Sequence, residues 1–117
     1  MILVIGGLAA GKYEYVTTTL GYPDSDIARG VLDEKPVLAD LHDLIRAGHA
    51  VDDELLEELR RKEVITCSEV GAGVVPLEVS ERQYRDEVGK LCAELVKSAS
   101  KVIRIYYGLP TVIKDQG

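Results

Sequence analysis

The sequence contains no phenylalanine and no tryptophan, and its only aromatic residues are six tyrosines. The core must therefore be built mainly from aliphatic side chains. Basic residues are also few, since 14 lysines and arginines are outnumbered by 20 acidic residues and the net charge is −6. This balance argues against a nucleic-acid backbone or an anionic membrane as the partner.

The two cysteines, Cys67 and Cys92, lie far apart in the sequence and form no CxxC motif. We therefore expect two reduced, mostly buried thiols and no zinc site. No apolar run approaches membrane-spanning length, and no basic segment or cleavage site precedes the first apolar residues. These absences predict a cytoplasmic protein, and the 117 residues are enough for a single domain, 1–117.

The strongest motif follows the apolar run from Ile2 to Ile5, where the sequence reads Gly-x4-Gly-Lys. This is the spacing of a phosphate-binding loop between a strand and a helix. Glycines permit the turns that point successive backbone N–H groups at an anion, and the helix N-terminus adds partial positive charge. The predicted nucleotide-binding residues are those of the loop and the one position after it: Gly6, Gly7, Leu8, Ala9, Ala10, Gly11, Lys12 and Tyr13. The alternative is an ordinary glycine-rich turn with a solvent-facing lysine.

Lys12 is predicted to act in catalysis, with its ammonium group at the phosphates. Tyr13 occupies the position that normally carries the Ser or Thr hydroxyl for Mg²⁺. A tyrosine hydroxyl lies at the far end of a rigid ring, so we expect Mg²⁺ to be weakly held, if it is used. Nucleotide affinity should then depend little on Mg²⁺. Alternatively, the ring stacks on the nucleotide base or packs in the core.

Strand-like and helical patterns alternate along the rest of the chain, with a polar linker over residues 25–35. Helices are predicted over residues 11–20 and 41–48, from Asp52 or Asp53 to about residue 62, and over 80–98. Further strands are predicted over 37–39, 64–67, 102–107 and 111–113. This alternation predicts an α/β fold with a mostly parallel sheet and flanking helices.

In such a sheet, ligands bind at the C-terminal ends of the strands, so the loop, Asp40 and Glu69 should share one edge. Asp40 is predicted as a catalytic carboxylate that holds Mg²⁺ or water beside the phosphates, and the alternative is a helix N-cap. Glu69 is followed by Gly71 and Gly73, which would let a ligand approach the backbone. These three form the predicted substrate site, although Glu69 has the alternative role of capping backbone N–H groups.

Four segments carry a resemblance to a known family: MILVIGGLAAGK at 1–12, EVGAGVVP at 69–76, YRDEVG at 84–89 and GLPTVIK at 108–114. They resemble the bifunctional adenosylcobinamide kinase / adenosylcobinamide-phosphate guanylyltransferase family of cobalamin biosynthesis. The resemblance implies a RecA-like phosphate-loop fold, here reduced in size, and assembly into a homo-oligomer. It also implies phosphorylation of cobinamide and GMP transfer, with ATP or GTP as substrate and Asp40 as the Walker B acid.

The chain departs from the family pattern between residues 22 and 36, a segment without room for the expected second strand and the helix whose histidine accepts GMP. Its histidines, His42 and His49, follow Asp40 and are expected to be ordinary, partly exposed residues. We therefore expect no covalent guanylyl-enzyme. Cys92 and Ala93 replace an Asn-Gln pair that is usual in the long helix.

Two functions agree with these observations. The first is a reduced cobinamide kinase or guanylyltransferase, which Lys12, Asp40 and the Glu69 loop favour. The second is a degenerate subunit or regulator that binds a nucleotide or corrinoid without turnover, which Tyr13 and the missing histidine segment favour.

Overall fold

A six-stranded sheet with the order β2-β3-β4-β1-β5-β6 forms the centre of the computed structural model. The middle strand, β1 (Ile2–Gly6), pairs in parallel with β4 (Val64–Ser68) on one side and with β5 (Lys101–Tyr106) on the other. Apolar residues dominate all three strands, as expected for strands that are covered on both faces. The structure describes residues 1–7, 9–69 and 79–116.

Three further strands complete the sheet. β3 (Val37–Ala39) pairs in parallel with β4, and β2 (Ile27–Arg29) pairs in parallel with β3. β6 (Leu109–Asp115) runs antiparallel to β5 at the opposite edge. The sheet is therefore mixed and mostly parallel, which confirms the predicted α/β fold class.

The β2 strand corrects the prediction for residues 25–35. Ile27 and Ala28 are buried in the sheet instead of lying in a polar linker. The expected lack of room for a second strand is likewise wrong. Three residues are too few to show a period, so the sequence pattern could not reveal this strand.

Helices cover both faces of the sheet. α1 (Lys12–Glu14) continues directly into a π-helical turn (Tyr15–Thr19), and the two together correspond to the helix predicted over 11–20. A short 3-10 helix covers Asp24–Asp26, just before β2. The α-helices after β3 are α2 (Leu41–Arg46), α3 (Asp53–Arg60) and α4 (Val79–Ser98). These three pack on the face opposite to α1.

Two apolar clusters, one on each face, hold the layers together. The cluster around Leu3, Leu38 and Ile65 packs against α2, α3 and α4. The cluster around Val4, Val37 and Ile103 packs against the segment from Tyr13 to Leu20. The largest fully buried side chains are all leucine, isoleucine or valine, so the core is aliphatic as the composition predicts.

The two cysteines meet in the tertiary structure although they are distant in sequence. Cys67 is buried at the end of β4, Cys92 is half-buried on α4, and both are free thiols. A hydrogen bond with Cys92, together with burial, raises the pKa of the Cys67 thiol. No helix in the described part of the chain has the length and apolar character that a membrane crossing requires.

Gly6→Ala should destabilise the fold, because a Cβ at this position would lie 2.6 Å from the carbonyl oxygen of Ile105. Overpacking of this kind costs about 1–3 kcal/mol, which urea denaturation would show as a lower midpoint. The matched control is Gly7→Ala, since a Cβ there meets no described atom within 4 Å. Equal stability of the two variants would contradict the close approach of β1 and β5 at Gly6.

Candidate functional site

The C-terminal ends of the parallel strands place the predicted site residues along one edge of the sheet. Gly6 ends β1, Ser68 ends β4 beside it, and the Glu69 N–H donates to the Gly6 carbonyl over 2.8 Å. Asp40 follows β3 at the same edge, and its N–H donates to Thr66 Oγ1 over 2.9 Å. The structure therefore brings the loop, Asp40 and Glu69 together. Leu8, Gly71 and Gly73 lie outside the described residues.

The loop between β1 and α1 is tightly turned. Ala9 and Gly11 have φ angles of 56° and 98°, in the left-handed region that a glycine adopts without steric cost. The Ala10 N–H donates to the Gly7 carbonyl over 3.3 Å, and the Ala10 carbonyl accepts from the Gly108 N–H over 2.9 Å. The turn between β5 and β6 therefore braces the loop directly.

Lys12 is buried beneath this loop with only 7% of its surface exposed. Its Nζ donates to the carbonyls of Gly7 over 2.6 Å and Gly6 over 3.3 Å. Burial lowers the pKa of Lys12, and the charges of nearby Asp40 and Glu69 oppose this effect. The alternative of a solvent-facing lysine is wrong, because the ammonium group is directed into the loop.

Asp40 begins α2 but its side chain does not cap that helix. Its φ angle is 60°, and the carboxylate makes no capping hydrogen bond. Among the described residues, the carboxylate has no hydrogen-bond partner, although it lies close enough to Lys12 to influence its pKa. A non-glycine residue in a left-handed conformation is uncommon and clusters at functional sites. Because the side chain makes no capping hydrogen bond, the alternative of a side-chain N-cap is wrong for Asp40.

Glu69 forms a bidentate ion pair with Arg104, which lies on β5. Its Oε1 lies 2.8 Å from Arg104 Nε, and its Oε2 accepts from Nη2 over 2.9 Å. The carboxylate therefore pairs with a side chain, and capping of backbone N–H groups does not describe it. Sequence reasoning missed Arg104, although a single arginine within the apolar run of β5 was a visible signal.

A family model described as cobinamide kinase / cobinamide phosphate guanyltransferase matches residues 33–113. The chain belongs to this family. The match confirms the predicted family resemblance and includes Asp40, Glu69 and Arg104. The phosphate loop precedes the matched span, so its assignment depends on its own residues and geometry. No curated protein matches the chain.

Tyr13 of this cobinamide kinase / guanyltransferase family member packs in the core. The ring is half-buried against the cluster around Val4, and the guanidinium carbon of Arg29 lies 4.0 Å from its centroid. Of the alternatives for this residue, core packing agrees with the structure.

Among the described residues, the site offers Mg²⁺ one unpaired carboxylate. No group of three or more His, Cys, Asp or Glu side chains within the described residues is placed to hold a metal ion. Asp40 is the only carboxylate near Lys12 that is not already paired with a cation among those residues. Asp40 would therefore contact the ion from this part of the chain, and phosphates and waters would supply the other ligands, as is usual for Mg²⁺.

His42 is buried with 7% exposure, so the prediction that it is partly exposed is wrong. Its Nδ1 accepts a hydrogen bond from the Ser68 N–H over 3.1 Å, which assigns the proton of the neutral ring to Nε2. The Tyr84 hydroxyl donates to the His42 carbonyl over 3.0 Å. The imidazole therefore ties α2 to the end of β4, and Nδ1 is engaged. His49, in contrast, is exposed as predicted.

Tyr13→Thr should lower the free energy of unfolding, because it removes a half-buried ring and its contact with Arg29. About 2 kcal/mol is expected, roughly half the cost of deleting a fully buried aromatic side chain. Tyr13→Phe keeps the ring and is the matched control. Thermal unfolding followed by circular dichroism would measure both variants, and unchanged stability of Tyr13→Thr would contradict the packing assignment.

The stability of the protein should fall in mildly acidic solution because of His42. Burial lowers its pKa below the ordinary 6.5, Lys12 and Arg46 act in the same direction, and Asp43 and Asp40 oppose them. The folded state therefore favours the neutral imidazole. The contribution of His42 to the free energy of unfolding is fully present above pH 6.5 and decreases as the pH falls below it.

His42→Asn tests this expectation, because the amide oxygen can accept from the Ser68 N–H without titrating. We expect the decrease in urea midpoint between pH 7 and pH 5 to become smaller in this variant. His49→Asn serves as the control on an exposed histidine. An unchanged pH dependence in His42→Asn would assign the loss of stability to other groups.

Proposed function

We propose that this chain binds a nucleoside triphosphate or diphosphate at the loop from Gly6 to Lys12. We further propose that it transfers a phosphoryl or nucleotidyl group to cobinamide, the substrate named in the description of its family. The observation that carries the proposal is the buried ammonium group of Lys12, which is held inside the loop where the strands of a mostly parallel sheet end.

Electrostatics support phosphate as the group bound at the loop. Tight turns of this kind can direct backbone N–H groups at the oxygens of an anion. The ammonium of Lys12 is partly desolvated, so an incoming phosphate would meet a charge whose interaction is weakly screened. Asp40 and Glu69 lie nearby, but Glu69 is already neutralised by Arg104.

Each described residue has a distinct role in the proposed reaction. Lys12 would stabilise negative charge on the transferred group, which is the main catalytic requirement of phosphoryl transfer. Asp40 would hold and orient the attacking hydroxyl or a water molecule, since its carboxylate has no other partner among the described residues. His42 would hold α2 against the end of β4, because its Nδ1 accepts from the Ser68 N–H. That hydrogen bond also occupies the nitrogen that would otherwise act as a nucleophile.

The alternative function is a subunit or regulator that binds the nucleotide without turnover. The packing of Tyr13 in the core favours it, because this position then supplies no hydroxyl to a metal ion. If Mg²⁺ is held weakly, phosphoryl transfer should be slowed more than nucleotide binding is weakened. Product analysis with cobinamide and a nucleoside triphosphate separates the two functions. Homo-oligomeric assembly stays a prediction.

Lys12→Met should weaken nucleotide binding while keeping the apolar stem of the side chain. Loss of one charge-assisted contact costs about 1.5–3 kcal/mol, or roughly a tenfold to hundredfold loss of affinity. Isothermal calorimetry with ATP and GTP, each with and without Mg²⁺, would measure the effect.

Lys62→Met is the matched control for this experiment. Lys62 also donates to two backbone carbonyls, those of Asp33 and Lys35, but it lies away from the loop. Its replacement removes the same charge and should leave nucleotide affinity unchanged. Equal losses in the two variants, or no binding by the wild type, would overturn the proposed phosphate site.

A further inference from the structure

A cavity of about 320 Å³ lies between the phosphate loop and the turn that joins β5 to β6. Ala9 and Ala10 line it on the loop side, and Tyr106 and Tyr107 line it on the turn side. The Arg104–Glu69 ion pair also contributes to its wall. The cavity is therefore continuous with the loop that we propose for the phosphates.

Tyr107 has no evident role in folding. It is 82% exposed, so its ring contributes little to the core. Tyr107 and Gly108 are the central residues of a two-residue hairpin turn, with φ angles of 50° and 75°. Such a type I′ turn prefers asparagine or aspartate at the first central position, and a bulky side chain is strained there. Local physical chemistry therefore disfavours the tyrosine that the sequence carries.

The two tyrosines form an aromatic wall beside the cavity. Their ring centroids lie 4.6 Å apart, with an interplanar angle of 76°. Because the rings meet edge to face, this contact does not cover both faces of Tyr107. A planar ligand can therefore stack on it, as nucleic-acid bases stack on aromatic side chains.

Polar groups also face the cavity. The bidentate pair with Glu69 uses Nε and Nη2 of Arg104, and Nη1 has no partner among the described residues. The pair thus offers donors from Arg104 beside acceptor oxygens of Glu69. A heterocyclic base presents the same mixture of donors and acceptors along its edge.

We propose that this cavity binds the heterocyclic base of the nucleotide whose phosphates the loop holds. Tyr107 stacks on the base, and the Arg104–Glu69 pair contacts its edge. This inference rests on the proposed function and names the second half of the same ligand. The hydrogen bond from the Gly108 N–H to the Ala10 carbonyl fixes the turn to the loop, so the two halves of the site keep a constant separation.

The size of the cavity favours a base over the corrinoid. About 320 Å³ is near the lower limit for a small-molecule site. A corrin macrocycle with its side chains is much larger than a nucleoside base. The cavity therefore suits the nucleoside base better than the corrinoid.

Tyr107→Asn tests the proposal because binding and folding should respond in opposite directions. Asparagine suits the turn, so the melting temperature should rise. Loss of base stacking should weaken ATP and GTP binding by about tenfold or more. Inorganic tripolyphosphate has no base, so its affinity should not change. Tyr107→Phe keeps the ring and should retain nucleotide affinity.

Calorimetric titrations of the three ligands distinguish failure of this inference from failure of the proposed function. If wild-type protein binds tripolyphosphate as tightly as ATP and GTP, the base site is wrong and the phosphate loop stands. If it binds none of the three ligands, the proposed nucleotide-binding function is wrong, and the base site is overturned with it. If Tyr107→Asn keeps nucleotide affinity but dissociates an oligomer in sedimentation velocity, the ring contacts a second copy of the chain, and the base site is overturned.

Discussion

The parallel pairing of β1 with β4 and β5 is the interaction on which the candidate site depends. It places Gly6 beside Ser68 on one side and Ile105 on the other. The loop, Glu69 and the β5–β6 turn therefore lie next to one another at the same edge of the sheet. A side chain at position 6 would clash with the Ile105 carbonyl. The glycine at this position therefore allows both the close approach of β1 to β5 and the position of the loop that follows it.

Charge at this edge is nearly balanced although the whole chain is acidic. Lys12 lies near Asp40, and Arg104 is paired with Glu69. In the phosphate site that we propose, selectivity for an anion would come from the turns of the loop and the burial of Lys12, because the net charge of −6 repels anions at long range. Such a site would discriminate by geometry more than by attraction from a distance.

The family match and the proposed nucleotide site rest on different residues of this edge. Membership of the cobinamide kinase / cobinamide phosphate guanyltransferase family is established by residues 33–113. The nucleotide site that we propose depends on residues before that span, through their spacing and through the contacts of Lys12. Tyr13 does not fit the motif, because its position is the one that normally contacts the metal ion whereas its ring packs in the core.

Features that depend on a local pattern could be predicted from the residues alone. Apolar runs located β1, β3, β4 and β5, and glycine spacing located the loop. The burial of His42, the pairing of Arg104 with Glu69 and the strained position of Tyr107 depend instead on how the elements pack together. The pairings join residues 26 and 35 positions apart, and a local period carries no information on contacts across such distances. Packing of the sheet against its helices therefore completed a site that the sequence only began to define.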